Sequence, residues 1–207
     1  MEKLDLTKQY RPYYSAARTP EMVEIEPIRY LALAGQGDPS SQAFADTIQA
    51  LYTTAYVIKF ASKAIGHDFV VPKLEGQWWF DPDRYGSVTM DEAPRQIPRS
   101  EWEFRLLIRL PDCVTSSQVA EAIQKTVTQK EKPLAEAIAL YPMAEGPCVQ
   151  MLHIGPFDRE PETLRIMNDF MSARGLKKNG HHHEIYLSDF RKTAPEKLKT
   201  ILREPVK

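Results

Sequence analysis

One order of strands and helices occurs twice along this chain. Each pass has a strand that stops at a glycine, a helix, a strand that contains a glutamate and a strand that contains an arginine. The strands span 30–35, 74–80 and 102–110 in the first pass and 149–155, 183–187 and 198–203 in the second. Alternating apolar residues predict strands, and apolar residues three or four positions apart predict helices. The pattern therefore predicts a β-α-β-β unit that is used twice.

This repeat predicts an α+β fold of two tandem βαββ modules with antiparallel sheets. Duplicated halves usually pack about a pseudo-two-fold axis, and the cleft between the halves is the natural ligand site. The halves span about 21–112 and 145–207, are linked by a helix near 115–130, and form a single domain of residues 21–207. Residues 1–20 are polar and irregular, and we interpret them as an N-terminal arm that lies over this domain.

The segments between these elements are less regular. Residues 69–71 predict a short strand. Segment 81–99 contains Pro82, Gly86, Pro94 and Pro98, which predict a loop. Residues 134–145 fit either a loop or one or two helical turns.

Charge and hydropathy exclude several classes of partner. Lys and Arg number 27 and Asp and Glu number 28, so the net charge of −1 leaves no electrostatic footprint for nucleic acid or an anionic membrane. The chain has no apolar run of the roughly 20 residues that a membrane helix needs, and its first residues lack a signal-peptide core. We therefore expect a cytoplasmic protein. Cys113 and Cys148 form no disulfide framework and are interpreted as passive thiols.

The segment around Glu184 carries the most chemical information. Side chains alternate between the two faces of a strand, so Ile185 and Leu187 share one face, which we expect to lie under the helices. Glu184 and Tyr186, together with His182, then share the other face. If that face meets water, Glu184 is an ordinary exposed residue. If it lines an aromatic cleft, its carboxylate is suited to act as a base or to pair with a cation.

All three tryptophans lie on two strands that we expect to pair. Trp78 and Trp79 are adjacent and Trp102 opens the next strand, so one of Trp78 and Trp79 packs in the core and the other faces away. Glu75 shares a face with Trp79, which would place a second carboxylate near an aromatic wall. Indole faces attract flat and cationic ligands, although core packing is the alternative for each ring.

A metal or cofactor site is not expected. His181 and His183 have the i, i+2 spacing of zinc ligands on a strand, but no spaced set of further Cys or His residues completes a site. The fingerprints of serine hydrolases and of nucleotide-binding loops do not occur.

At these residues the sequence resembles the family of GyrI-like small-molecule-binding proteins, in its stand-alone branch. The resemblance extends over nearly the whole chain and rests on the segments 20–24, 35–39, 51–60, 74–79, 145–146, 150–158, 182–189 and 198–205. The sequence departs from the family pattern at Gln77, where an apolar residue is commoner, at Phe157, where tyrosine is commoner, and at Phe190, where proline is commoner.

The resemblance implies a tandem of two SHS2-type βαββ modules with an aromatic-lined cleft between them. The family's cleft holds a glutamate, whose position matches Glu184. The matching segments also contain Tyr56, His153 and Phe157, which we expect to contact ligand. Multidrug-sensing regulators fuse this domain to a DNA-binding part that is missing here, so direct binding of nucleic acid is not expected.

Three functions follow from the resemblance. Some stand-alone members resemble hydrolases that open the strained cyclopropane of cyclopropanoid genotoxins. Under this hypothesis Glu184 is the general base or orients the attacking water, Tyr186 or an indole N–H donates a hydrogen bond to the developing oxyanion, and Trp79 and Trp102 sandwich the ligand. The second reading is a binder that sequesters flat or cationic aromatic compounds. The third is a protein that contacts DNA gyrase, and in each case the chain would be a monomer or a homodimer.

Overall fold

Eight strands form one antiparallel sheet in the computed structural model, which describes residues 3–86 and 88–207. The strands are β1 (Glu21–Ile25), β2 (Ile28–Gln36), β3 (Leu74–Trp79), β4 (Glu103–Arg109), β5 (Ala139–Met143), β6 (Gly146–Ile154), β7 (His182–Tyr186) and β8 (Lys199–Pro205). The helices of the described residues are α1 (Leu6–Gln9), α2 (Gln42–Ala64), α3 (Pro82–Tyr85), α4 (Ala93–Gln96), α5 (Ser116–Gln129) and α6 (Glu160–Ala173). The predicted α+β class with antiparallel pairing is confirmed.

The two parts of the chain meet at the pairing of β3 with β7. The strand order is β1-β6-β8-β7-β3-β4-β2-β5, so the strands that follow α6 continue directly into those that follow α2. On one side of this pair the order outward is β7-β8-β6, and on the other it is β3-β4-β2. The halves therefore share a single sheet rather than two. That they arose as tandem SHS2-type modules stays a prediction.

The long helices cover one face of the sheet but leave its middle open. Helix α2 begins after Ser41, whose hydroxyl caps the Phe44 amide, and it packs over β2 and β4 and against α5. Helix α6 packs over β6 through Met167 and Met171 and is followed by Gly175 at a φ of 67°, as expected for a helix C-terminus. A groove between α2 and α6 thus lies over β3, β7 and β8.

The N-terminal residues cover the opposite face. Tyr13 and Tyr14 are buried there in a second apolar cluster that includes Tyr30 and Ile185. The prediction that Ile185 lies under the helices is therefore wrong. Strand alternation separates Ile185 from Glu184, but both faces of this sheet are covered, so apolar character alone could not show which face the helices occupy.

A buried network of charges lies on this arm-covered face, which we call the arm-side cluster (Tyr13, Glu75, Glu145, His183 and Arg203). The His183 imidazole lies between two carboxylates, with Nε2 3.1 Å from Glu75 and Nδ1 3.0 Å from Glu145. The Tyr13 hydroxyl donates to Glu75, and Arg203 lies 3.5 Å from Glu145. Burial alone would lower the pKa of His183, but the two carboxylates outweigh it and raise the pKa to about 9.

The irregular segments contain more structure than the sequence indicated. Segment 81–99 contains α3 and α4, and residues 134–145 contain a 3₁₀ turn at Pro133–Ala137 followed by the edge strand β5. The predicted strand at 69–71 is only an isolated bridge between Phe69 and Leu4. Within residues 3–86 and 88–207, no helix has the length and apolar character of a membrane span.

The arm-side cluster predicts how stability depends on pH. Because folding raises the pKa of His183 from about 6.5 to about 9, its contribution is complete below pH 6.5 and is lost as the pH rises through 9. We expect the free energy of unfolding, measured with urea from pH 6 to about pH 10, to fall over this range.

The His183→Gln variant should be less stable at neutral pH by about 3–5 kcal/mol, since two buried carboxylates lose their cation. Its stability should also fall less steeply with rising pH. Part of the slope should remain, because His182 has its pKa raised to about 9 as well. A wild-type stability that is constant from neutral to alkaline pH would contradict this account.

Candidate functional site

A set of polar side chains lies on the central strands between α2 and α6, most of them buried. Strand register places Gly76 opposite Glu184, Trp78 opposite His182, and Tyr186 opposite Thr200. These residues face the helix-covered side, where Trp78 and Tyr186 pack against the core beneath α2 and α6. Carboxylate, imidazole, phenol and indole groups therefore line one short stretch of the sheet.

Glu184 is the carboxylate of this stretch that reaches solvent. Its side chain is 12% exposed, and its Oε1 lies 3.3 Å from Nε2 of His182. The carboxylate also accepts a hydrogen bond from the Tyr186 hydroxyl. A partly buried carboxylate in such a groove can accept a proton or pair with a cation.

Tyr186 is oriented by Trp78 across the backbone of Gly76. The Trp78 indole N–H donates to the Tyr186 hydroxyl oxygen at 3.0 Å. Glycine at position 76 makes this contact feasible, because a Cβ there would lie 3.0 Å from both the indole nitrogen and the hydroxyl. Burial, followed by the charge of Glu184, raises the pKa of Tyr186 well above its usual value. The phenol therefore stays protonated and can donate a hydrogen bond.

A second carboxyl, Glu160, lies beside Glu184. Glu160 is the first residue of α6 and is 7% exposed, and its Oε1 has no hydrogen-bond partner among the described residues. Burial and then the negative charge of Glu184 raise its pKa well above the usual range, against the hydrogen bond from Thr200. Glu160 therefore keeps its proton at neutral pH.

Behind Glu184 the polar contacts continue into the protein. His182 is fully buried, and its Nδ1 lies 3.0 Å from Glu204, which is 1% exposed. Lys178 Nζ lies 3.1 Å from the same Glu204 oxygen and is itself 36% exposed. Burial would lower the pKa of His182, but Glu204 and Glu184 raise it to about 9. The imidazole is therefore a cation at neutral pH.

Exposed aromatic rings flank the groove. Phe157 and Phe190 are 40% and 47% exposed, and the Phe157 ring centroid lies 6.0 Å from that of Tyr186 and 6.4 Å from that of Phe190. On α2, Tyr52 is partly buried and hydrogen bonds to the backbone of Leu74, and Tyr56 is 46% exposed. These rings offer flat apolar surfaces beside the carboxylate, which suits an aromatic ligand.

The structure brings together only some of the residues singled out from the sequence. Glu184, Tyr186 and Trp78 meet in the groove, Phe157 adjoins them, and Tyr56 lies on the helix at its side. Trp102 packs edge-on against Trp78, with 6.1 Å between the ring centroids, and its indole N–H donates a hydrogen bond to the Ile97 carbonyl.

Trp79 and Glu75 lie on the opposite face of the sheet from Glu184. Trp79 stacks on His181 at 4.3 Å between ring centroids, and Glu75 is buried in the arm-side cluster. The expected sandwich of a ligand between Trp79 and Trp102 is therefore wrong. Which of the adjacent tryptophans faces the groove depended on which face the helices cover, and it is Trp78.

His153 serves the turn that leads into α6. Its Nδ1 lies 2.8 Å from the Thr163 hydroxyl and its Nε2 lies 3.2 Å from the Pro156 carbonyl. Both ring nitrogens therefore have partners within the protein, and burial lowers the pKa of the imidazole. The structure gives His153 a bracing role, and its expected contact with ligand stays a prediction.

Several polar residues of the site were missed by sequence reasoning. They are Glu160, Thr200, Glu204, Lys178 and Tyr52. Glu160 resembles the acidic residues that commonly begin helices, and Thr200 and Glu204 lie on the last strand among ordinary alternating residues. Their partners lie on other elements, so no local spacing signals them.

The three consecutive histidines are divided between environments. His181 stacks on Trp79, whereas His183 lies between two carboxylates on the same arm-covered face. No arrangement of three or more His, Cys, Asp or Glu side chains suited to a metal ion occurs within 3–86 and 88–207.

Comparison with known proteins identifies relatives over the full length. Residues 113–207 match the model of the GyrI-like small molecule binding domain. An uncharacterized conserved protein from Listeria innocua is 38% identical, with a TM-score of 0.85, and the match covers 99% of this chain and 100% of that chain. A hydrolase from Listeria innocua is 36% identical, with a TM-score of 0.83 and the same coverage. Curated proteins gave no significant match.

A third similar structure is a hydrolase encoded by lin2189 of Listeria innocua, which is 38% identical with a TM-score of 0.83 over the whole of both chains. The C-terminal domain of EcmrR shares the fold at 11% identity, with a TM-score of 0.58 over 91% of this chain and 97% of that domain.

Substituting Gly76→Ala should displace Tyr186. The added Cβ would lie 3.0 Å from the indole nitrogen and from the phenol oxygen, so the two rings must shift by a few tenths of an ångström, which weakens their hydrogen bond. We expect a changed near-UV circular dichroism spectrum and a stability loss of about 1 kcal/mol. Trp78→Phe removes the same donor without adding a Cβ and, because Trp78 is buried in the core, should cost at least as much stability. An unchanged spectrum in Gly76→Ala would contradict the packing described.

Proposed function

The chain belongs to the family of GyrI-like small-molecule-binding domains, and we propose that it is a hydrolase that opens the cyclopropane of cyclopropanoid genotoxins by adding water. The observation that carries this proposal is the pairing of a partly exposed carboxylate, Glu184, with a protonated phenol, Tyr186, beside exposed aromatic rings. The relatives that are hydrolases, at 36–38% identity, support the general class of reaction.

The proposed reaction uses the two groups as base and hydrogen-bond donor. Glu184 Oε2 takes a proton from water as the water oxygen bonds to a cyclopropane carbon. The strained carbon–carbon bond breaks, and its electron pair moves through the conjugated dienone to the carbonyl oxygen, which becomes a phenolate. The Tyr186 hydroxyl donates a hydrogen bond to that oxygen. The phenolate then takes a proton from solvent and Glu184 releases one, so the net change is addition of one water.

Neighbouring residues favour this division of roles. The Trp78 N–H occupies a lone pair of the Tyr186 oxygen, so the hydroxyl directs its own proton elsewhere: to Glu184, with which it hydrogen bonds before substrate binds, and to the developing oxyanion in the proposed reaction. Glu160 is held neutral by burial and by Glu184, so a second negative charge does not oppose the developing phenolate. Ring strain supplies part of the driving force, and general-base catalysis contributes about 10²–10⁴-fold.

A binder without turnover is the second candidate. Glu160 and Glu184 are neighbouring carboxyl groups, and a flat aromatic cation in the groove would favour ionisation of Glu160. Residence in the cytoplasm, contact with DNA gyrase, and the choice between monomer and homodimer stay predictions from the sequence and the resemblance.

Glu184→Gln separates these two functions. The protein is incubated with a cyclopropanoid electrophile, and the water adduct is followed by mass spectrometry. We expect turnover to fall by about 10²–10⁴-fold while affinity for the neutral compound is retained, because only the base is removed. Glu103→Gln, which changes a partly exposed strand carboxylate beside Trp79 on the other face, is the control and should keep full turnover. Equal turnover in all three proteins would exclude Glu184 as the base.

Tryptophan fluorescence distinguishes the two faces of the sheet. A ligand over Tyr186 lies near Trp78, whereas Trp79 is on the opposite side. We therefore expect ligand-induced quenching to persist in Trp79→Phe, which keeps Trp78 and Trp102, and to be largely lost in Trp78→Phe, which keeps Trp79 and Trp102. The reverse result would place the ligand on the arm-covered face.

A further inference from the structure

The two adjacent histidines of β7 have the same local design on opposite faces. Each is fully buried, and each lies between two carboxylates at 3.0–3.3 Å. His183 holds Glu75 and Glu145, whose side chains are 0% and 2% exposed. His182 holds Glu204, at 1%, and Glu184, at 12%. Of the four carboxylates, Glu184 is thus the one that meets solvent.

The contact with Glu184 is also the loosest of the four. The other three nitrogen–oxygen distances are 3.0–3.1 Å and satisfy hydrogen-bond geometry, whereas His182 Nε2 lies 3.3 Å from Glu184 and has no hydrogen-bond partner in the described structure. Catalytic hydrogen bonds are often long without substrate and shorten when it binds. Three of the four contacts that the two histidines make are therefore structural. The fourth, from His182 to Glu184, is directed at the groove.

We propose that His182 is the positioning residue of Glu184, held in place by Glu204 and Lys178, and that it fixes one carboxylate oxygen so that the other faces the attacking water. This inference rests on the proposed function, since Glu184 is the base there. His182 acts through Glu184 and does not touch the substrate. Glu204 anchors its far nitrogen, and Lys178 neutralises Glu204 from the surface side.

Within the described residues, the titratable groups around this pair are Glu204, Lys178, Glu160 and Tyr186, whose hydroxyl hydrogen bonds to Glu184. Glu184 faces His182 from its own strand, Glu204 from β8, and Lys178 from the segment before β7, while Glu160 of α6 lies beyond Glu184. Trp78, opposite His182 on β3, is uncharged. The imidazolium therefore balances one carboxylate while Lys178 balances the other, and the loss of its proton would release Glu184.

The test compares His182→Gln with His183→Gln as a matched control. Both variants remove a buried imidazolium from between two carboxylates, so both should lose stability. Only His182→Gln should lower kcat, by about 10- to 100-fold per folded molecule, with KM nearly unchanged. Wild-type kcat should also fall as the pH rises through 9, where His182 loses its proton, and this decline should be missing in His182→Gln. An equal kcat in the two variants would overturn the proposal.

Glu204→Gln provides a second test of the proposal if His182→Gln does not fold. It retains side-chain size and weakens the anchor of His182, so kcat should fall in the same direction but by less. An unchanged kcat and pH profile in Glu204→Gln would count against the proposal.

A measurement without substrate separates this proposal from the proposed function. Imidazole titration by NMR in Glu184→Gln should show the pKa of His182 lowered by about 1 and that of His183 unchanged. If wild type shows no turnover but this coupling is present, the hydrolase function fails and the positioning contact stands. If the pKa of His182 does not change, the positioning role fails, whatever the activity.

Discussion

The pairing of β3 with β7 is the interaction on which the rest of the structure depends. It joins the strands that follow α2 to those that follow α6, and it sets Gly76 opposite Glu184. An antiparallel register shifted by one residue would turn every side chain of β7 to the other face. The groove, the carboxylate within it and the contact between Trp78 and Tyr186 all follow from this one register.

The same register determines how the buried charges are balanced. Consecutive histidines must point to opposite faces of a strand, so His182 and His183 each meet a separate pair of carboxylates. The desolvation cost of burying these ions is large, and it is offset because each imidazolium lies between two negative groups. The arm-covered side is closed by Tyr13, whereas the groove side is left open at Glu184. The arm-side cluster is therefore structural, because it is closed from solvent. The contact between His182 and Glu184 is available for chemistry, because Glu184 reaches solvent.

The sequence predicted the architecture better than the site. Periodicity and glycine and proline positions located the main strands and the helices α2, α5 and α6, and they indicated the antiparallel α+β class. Alternation correctly separated Glu184 and Tyr186 from Ile185. It could not identify the face that the helices cover, because the arm brings Tyr13 and Tyr14 to the other side and both faces become apolar. Because of this ambiguity, both Trp79 and Ile185 were predicted on the wrong face of the sheet.

By itself the sequence determined which residues alternate, approximately where helices α2, α5 and α6 begin and end, and that Glu184 shares a face with Tyr186, because these properties depend on neighbours along the chain. Only the tertiary structure decided that Glu160 and Glu204 lie near that face and that Trp78 supplies the indole. These contacts join α6, β8 and β3 to β7, and the free energies that arrange them come from burial and charge balance between elements distant in sequence.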